Sequence, residues 1–167
     1  EYKFEITTLR KDIVSNGKHA EVEFSKDWKE DASRRDFTIN SIYSDSDGNL
    51  FDPYDGKNDL KSGHVKFIGD AELRIKEDYL RILRYIRFFS IYSKQQHNPD
   101  LLRIIKKNIK GVSKWSKDRL LDELRKMMKI NILENLSKDK KSLDLLLIIF
   151  PELKNVKIFS KLKPHLK

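Results

Sequence analysis

Asp78, Arg81, Arg84 and Arg87 recur at intervals of three in KEDYLRILRYIRFF, positions 76–89. On one helix, a carboxylate three residues before a guanidinium lies beside it, so Asp78 and Arg81 could present an acceptor next to a donor. Cytosine offers its N4 amine beside N3, and adenine its N6 amine beside N1, so both bases complement such a pair. Uracil and guanine present a carbonyl beside an N–H, the reverse order, and would leave both protein groups mismatched. This stretch could therefore select C and A and reject U and G. The other reading of the same spacing is a helix salt bridge worth about 0.3–0.5 kcal/mol.

The stretch is read as one helix. At about 100° per residue from Asp78, Ile82, Leu83, Ile86 and Phe89 cluster on a core face, with the three arginines opposite. Leu80 and Phe88, interleaved with the arginines, are expected to be partly buried. Guanidiniums among apolar groups call for planar, anionic or base-edge partners.

The elements around this helix set an α+β expectation. KFEITTLR and AEVEF read as strands with VSNGKH as the loop between them. A helix is expected to open near Lys29 and pass through the Arg34-Arg35 pair. IYSDSDGNLFDPYDG has two short apolar runs around Asp47-Gly48, a hairpin signature, and HVKFIGD reads as a last strand. From Asp70 onward Gly and Pro thin out, and LLRIIKKNI, DRLLDELRKMM and LDLLLIIF carry helical spacing. Residues 1–69 are thus expected to be the mixed part and 70–167 the helical part.

Composition bounds the classes. The 167 residues carry 35 Lys plus Arg against 26 Asp plus Glu, a net charge of +9, which suits a polyanionic partner or simply a lysine-rich solvated surface. With no cysteine there is no disulfide, thiolate metal site or cysteine nucleophile. The longest apolar run, LLLIIF at 145–150, is too short to span a bilayer, and a cytoplasmic setting without membrane association is expected. His19, His64, His97 and His165 are scattered and suggest neither a metal site nor a catalytic base, while Trp28 and Trp115 read as packing groups.

Four ordered stretches carry a family resemblance: RRDFTINSIY (34–43), DPYDGKNDL (52–60), EDYLRILRYIRF (77–88) and SKDRLLDEL (116–124). They resemble motifs B, C, D and E of the class II tRNA nucleotidyltransferases, the CCA-adding enzymes, a family that also holds bacterial poly(A) polymerases. FEITTLR and DWKED resemble the lead-in to motif B. The resemblance implies a catalytic-head remainder over 1–69 and a helical neck and start of body over 70–167.

It implies further that Asp78 and Arg81 read the incoming CTP or ATP, in agreement with the base-edge argument. Arg35, Asp36 and Asn40 would meet ribose and triphosphate, and Arg84 and Arg87 would reach phosphates or line the site. Glu77 would hold the reading helix, and Asp118, Arg119 and Glu123 would support it; the family usually has Glu where Asp118 stands. Asp52, Gly56 and Asp59 would form a hinge, although a Gly-containing turn accounts for the same residues. The implied partners are the tRNA 3′ end, CTP and ATP.

Nucleotidyl transfer also uses Mg²⁺ held by carboxylates. The family's motif A, a D-x-D after a Gly-rich turn, has no counterpart in this sequence. Asp45-Ser46-Asp47 is the lone D-x-D and reads as hairpin-turn chemistry. Glu5 resembles a third carboxylate, but a metal site is not complete in this chain. A start at Glu1 on a strand-like alternation fits a truncated piece, one part of a split enzyme whose second chain supplies motif A, or a decayed remnant. Two other readings are kept, a poly(A) polymerase and a non-catalytic RNA-binding module built on KKNIK and LRKMMK. The isolated chain is expected to add no nucleotide. Incubation of the purified 167 residues with tRNA and labelled CTP checks this, and measurable incorporation would refute it.

Overall fold

A computed structural model describes residues 7–15, 20–129 and 132–155. Glu5 lies outside the described residues, as do the other three of the first four positions of the expected opening strand KFEITTLR. Strand β1 (Arg10–Ser15) pairs antiparallel with β2 (Ala20–Phe24), Arg10 opposite Phe24. The first strand thus begins where KFEITTLR ends and takes in Val14 and Ser15, which had been read as loop. The pairing of RKDIVS with β2 carries a register shift between Asp12 and Val14.

Helix α1 (Trp28–Ser33) opens on Asp27, whose carboxylate accepts from the Lys29 N–H at 2.7 Å, with Glu30 and Asp31 in the favourable first turn. It ends at Arg34 and does not run through the arginine pair; a short 3₁₀ turn, Thr38–Asn40, follows. Strands β3 (Tyr43–Ser44) and β4 (Leu50–Phe51) form the expected hairpin around Asp47-Gly48. At its tip Asp45 accepts from the N–H groups of Asp47 (3.0 Å) and Asn49 (2.8 Å), which is turn chemistry. HVKFIGD forms no strand; a single antiparallel bridge joins Phe67 to Phe37.

Helix α2 (Gly56–Ser62) occupies the segment read as a turn. Asp52 closes its start by accepting from Gly56 N–H and Lys57 N–H, both at 2.8 Å, and Gly63, at φ 73°, ends it. Six helices follow: α3 (Ala71–Glu77), α4 (Leu80–Tyr92), α5 (Pro99–Asn108), α6 (Lys117–Lys129), α7 (Ile132–Lys138) and α8 (Lys140–Ile149), with 3₁₀ segments at Ile109–Lys114 and Pro151–Asn155. The expected continuous helix over 76–89 is therefore two. Asp78 breaks it in an extended conformation (φ −148°, ψ 103°), and its Oδ1 accepts from the Leu80 N–H at 2.9 Å, starting α4 afresh.

Helix α4 is the axis of the core. Ile82, Leu83 and Ile86 are fully buried and Tyr85 nearly so, each apolar side chain worth about 1.5–3 kcal/mol. Leu80 and Phe88 are buried too, deeper than their place among the arginines suggests, while Phe89 is only half-buried. One apolar cluster joins Phe37, Val65 and Phe67 to α4 and to Ile105, Met127, Ile132, Leu136, Leu145 and Leu146. His97 is not idle: its ring stacks on Phe89 at 3.6 Å, and its two nitrogens meet the Tyr85 hydroxyl (2.9 Å) and the Asp139 carboxylate (2.8 Å). Asp139 also caps α8, so this buried chain ties α4 to α8. No helix among the described residues is long and apolar enough to cross a membrane.

Helix α2 packs its first residue against the Thr38–Asn40 turn, and a Cβ at Gly56 would overlap the Thr38 carbonyl. Gly56→Ala is expected to cost about 2 kcal/mol through forced backbone movement, read as a lowered urea midpoint.

Candidate nucleotide-binding site

Asp31 is the first residue of the site to be built, and it stands on α1 with 1% exposure. Its Oδ1 accepts from Arg34 Nε (2.8 Å) and Nη2 (2.6 Å), and its Oδ2 from Arg35 Nε (3.2 Å) and Nη2 (2.9 Å). The Tyr43 hydroxyl donates to it at 2.7 Å and the Arg10 N–H at 3.2 Å, joining β1 and the hairpin to the same carboxylate. Burial alone would push the Asp31 pKa up, but these donors outweigh it and bring it down to about 2. Burial and the contact with Asp31 push the Tyr43 hydroxyl up to about 12.

Asp36 lies three residues beyond Ser33, the last residue of α1, and is 5% exposed. One oxygen accepts from Asn40 Nδ2 (2.9 Å) and the Phe37 N–H (3.1 Å); the other pairs with Arg84 Nε of α4. Burial opposes ionisation, and the Arg84 charge and these hydrogen bonds prevail, so the carboxyl sits below its ordinary range. Thr38, between them, donates through its hydroxyl to Asp59 at 2.8 Å, and Asp59 pairs in turn with Lys66 at 2.5 Å. Asp52, Gly56 and Asp59 thus back the 36–40 segment from behind.

Asp78 and Arg81 do not bond to each other. Arg81 Nη1 donates to Glu77 Oε2 (2.6 Å) and to the Arg74 carbonyl (2.7 Å). Glu77 also accepts from Arg74 Nη1 at 2.6 Å, and Arg74 Nη2 donates to the carbonyls of Arg34 and Arg35, both at 2.7 Å. Arg81 is therefore held on one edge, and among the described residues no bond engages its Nε and Nη2. Asp78 Oδ2 likewise has no hydrogen-bond partner among the described residues. Burial raises its pKa against the Leu80 N–H and the charges of Arg81, Arg119 and Arg84.

On α6, Glu123 is 5% exposed and gathers Arg87 (3.3 Å), Lys126 (2.7 Å) and, at 3.6 Å, Arg84. Arg119 lies over the Trp115 ring at 3.9 Å, and Asp118 is exposed in the first turn of α6.

These groups surround a cleft of about 390 Å³. Six cationic side chains (Arg34, Arg35, Arg81, Arg84, Arg119, Lys126) and four carboxylates (Asp36, Asp78, Asp122, Glu123) line it, with Asn40 and Leu80. Of the expected residues, Arg35, Asp36, Asn40, Asp78, Arg81 and Arg84 come together here, as do Arg119 and Glu123. Arg87 lies outside the lining, behind Glu123, and Glu77, Asp118 and the Asp52, Gly56 and Asp59 group also stand off it. Asp31 and Arg74 were missed. Both were legible by spacing, Asp31 three and four before Arg34 and Arg35, Arg74 three before Glu77. Among the described residues no group of three or more His, Asp or Glu is arranged to hold a metal ion, so those residues do not fit Mg²⁺.

The cleft lies between the end of a small β/α segment and a helical array, and its lining mixes cations with carboxylates. Residues 1–66 match the Poly A polymerase head domain. Over 130 residues, 77% of this chain, it is 50% identical to "CCA tRNA nucleotidyltransferase 1, mitochondrial" of Danio rerio and equally to that of Homo sapiens. It is 40% identical over 128 residues to the "CCA-adding enzyme" of Staphylococcus haemolyticus, covering 75% of this chain and 32% of that relative. The fold matches the Bacillus stearothermophilus CCA-adding enzyme in complex with CTP at a TM-score of 0.63, 30% identity, and 79% of this chain over 32% of that one. A second match, a CCA-adding enzyme apo form, has a TM-score of 0.69 at 27% identity. The chain spans 30% of the length of its first two relatives, and over that span it is similar to tRNA nucleotidyltransferases, with its first 66 residues similar to a poly(A) polymerase head domain.

A depressed acid contributes stability that is present above its unfolded pKa and lost as pH falls through the folded one. For Asp31 that window runs from the ordinary carboxylate value near 3.8 down to about 2. Its share is about 2 kcal/mol. Asp31→Asn is expected to lower the urea midpoint at pH 7 and to flatten the loss of stability between pH 4 and 2, followed by circular dichroism.

Proposed function

We propose that this chain is the nucleotide-selecting segment of a CCA-adding tRNA nucleotidyltransferase, one that adds CMP and AMP from CTP and ATP to the tRNA 3′ end without a nucleic-acid template. The observation that carries the reading is the pair Asp78 and Arg81, side by side on the cleft yet each bonded elsewhere on one edge only. Asp78 Oδ2 would accept from cytosine N4 or adenine N6, and an Arg81 N–H would donate to N3 or N1. Against uracil or guanine, carbonyl would face carboxylate and N–H would face guanidinium. Ionised Asp78 is needed for this, and its raised pKa puts loss of selection on the acid side.

Arg35 and Arg84, with side chains 33% and 27% exposed, retain surface toward the cleft and suit the triphosphate, while Asp36 holds Arg84 in place. Mg²⁺ belongs to the same reading; when bound it supplies neutralisation of the triphosphate, with ligands expected outside the described residues. The division at 69/70 into head remainder and neck is kept as part of it. A poly(A) polymerase is the second reading, favoured by the match of residues 1–66 to a Poly A polymerase head domain. The relatives at 50% and 40% identity favour CCA addition.

Asp78→Ala and Arg81→Ala, made in the complete polypeptide that carries this sequence, should each weaken CTP binding tenfold or more and erase the preference over UTP. Equilibrium binding of CTP, ATP and UTP measures this. A polypeptide that binds tRNA but is indifferent to CTP and to both substitutions would be an RNA-binding module instead, and incorporation of ATP alone would point to poly(A) addition.

A further inference from the structure

We propose that Arg74 is a positioning residue for base selection, setting the donor edge of Arg81; the inference rests on the function proposed above. Both hydrogen bonds that fix Arg81 lead to Arg74, one to its carbonyl and one to Glu77, which Arg74 Nη1 holds from the other side. The remaining end of the same guanidinium spans two carbonyls at 2.7 Å each, those of Arg34 and Arg35. Those carbonyls belong to the segment that leads into Asp36 and Asn40. A single planar group therefore sets the base-edge donor relative to the segment proposed to meet the triphosphate.

The geometry needs a guanidinium. Nη1 serves the carboxylate while Nη2 serves both carbonyls, and the rigid plane fixes the angle between them. A lysine keeps the charge but offers one mobile ammonium, which cannot hold all three oxygens in one plane. Glu77 would then lose one anchor, and the Arg81 guanidinium, still donating to the residue-74 carbonyl, would lose its fixed angle. Rejection of uracil depends on a donor that cannot move, because uracil carries two carbonyl acceptors that a reoriented guanidinium could reach. The expected fault is a loss of discrimination in addition to any loss of stability.

The test uses the complete polypeptide with a tRNA lacking its terminal CCA, and measures kcat/KM for CTP and for UTP. Arg74→Lys should lower the CTP-to-UTP ratio about tenfold, the worth of one mis-set charge-assisted hydrogen bond. Glu77→Gln should do the same, and the double variant should fall well short of the product of the two effects, since both act through one link. Equal losses for CTP and UTP in Arg74→Lys, leaving the ratio within twofold of wild type, would overturn the proposal, as would fully multiplicative effects. If Arg74→Lys does not fold, Glu77→Gln carries the test, and an unchanged ratio there overturns it. A wild type that incorporates neither CTP nor ATP sinks the functional reading and this role with it. A selective wild type with an unaltered Arg74→Lys ratio sinks the positioning role alone.

Discussion

A carboxylate removed from water must be met by cations or donors or it will take up a proton, and four such carboxylates organise this protein. Asp31, Asp36 and Glu123 are nearly buried, and Glu77 is partly so. Asp31 binds Arg34 and Arg35; Asp36 binds Arg84 and Asn40; Glu77 binds Arg74 and Arg81; Glu123 binds Arg84, Arg87 and Lys126. Each sits at a junction of segments, and together they determine which way Arg34, Arg35, Arg81 and Arg84 point. Such pairs return little net stability once desolvation is counted. Their product is orientation, and removing one member leaves several guanidiniums without a fixed direction.

The break at Asp78 shapes the proposed base-edge pair. In a continuous helix Asp78 and Arg81 would face each other at i,i+3 and satisfy one another, leaving less for a ligand. The extended residue ends α3, and one Asp78 carboxylate oxygen is spent on the N–H of Leu80, the first residue of α4. Glu77, still on α3, then takes Arg81 from below. Each member of the pair is thus half-committed to the fold, rigid on one edge and open on the other. A base would find a preformed acceptor and donor and would not have to break an ion pair first.

Much of this was readable in the residues. Period and turn residues marked the helical second part and the hairpin about Asp47-Gly48, and spacing and charge type marked Asp78, Arg81 and Arg84, while Arg35, Asp36 and Asn40 came from the family resemblance. Three features escaped for physical reasons. The α3–α4 break looks like helix because Leu80 onward keeps the period in phase, and one Asp side chain bonding a neighbouring N–H is invisible to a hydrophobic pattern. Helix α2 is too polar to show a period and owes its start to Asp52, four residues upstream of the N–H it caps. Arg87 carries the right charge at the right interval, yet Glu123 of α6 takes it and it stays out of the cleft lining. Which helix covers which arginine is a tertiary fact.

Two kinds of contact cross from the mixed segment to the helices, and they have different consequences. Phe37 and Phe67 press on Tyr85 and Phe88 with ring centroids 5.2 to 6.4 Å apart. This apolar contact holds the two parts together but tolerates small slips, because burial has no preferred direction. The directional contacts are Arg84 to Asp36 and Arg74 to the carbonyls of Arg34 and Arg35, and they fix distance and angle at the cleft itself. A ligand bound with its base edge on the helices and its phosphates on the mixed segment would read that relative placement directly. The accuracy of selection is then set less by the size of the core than by the planarity of two guanidiniums at its edge.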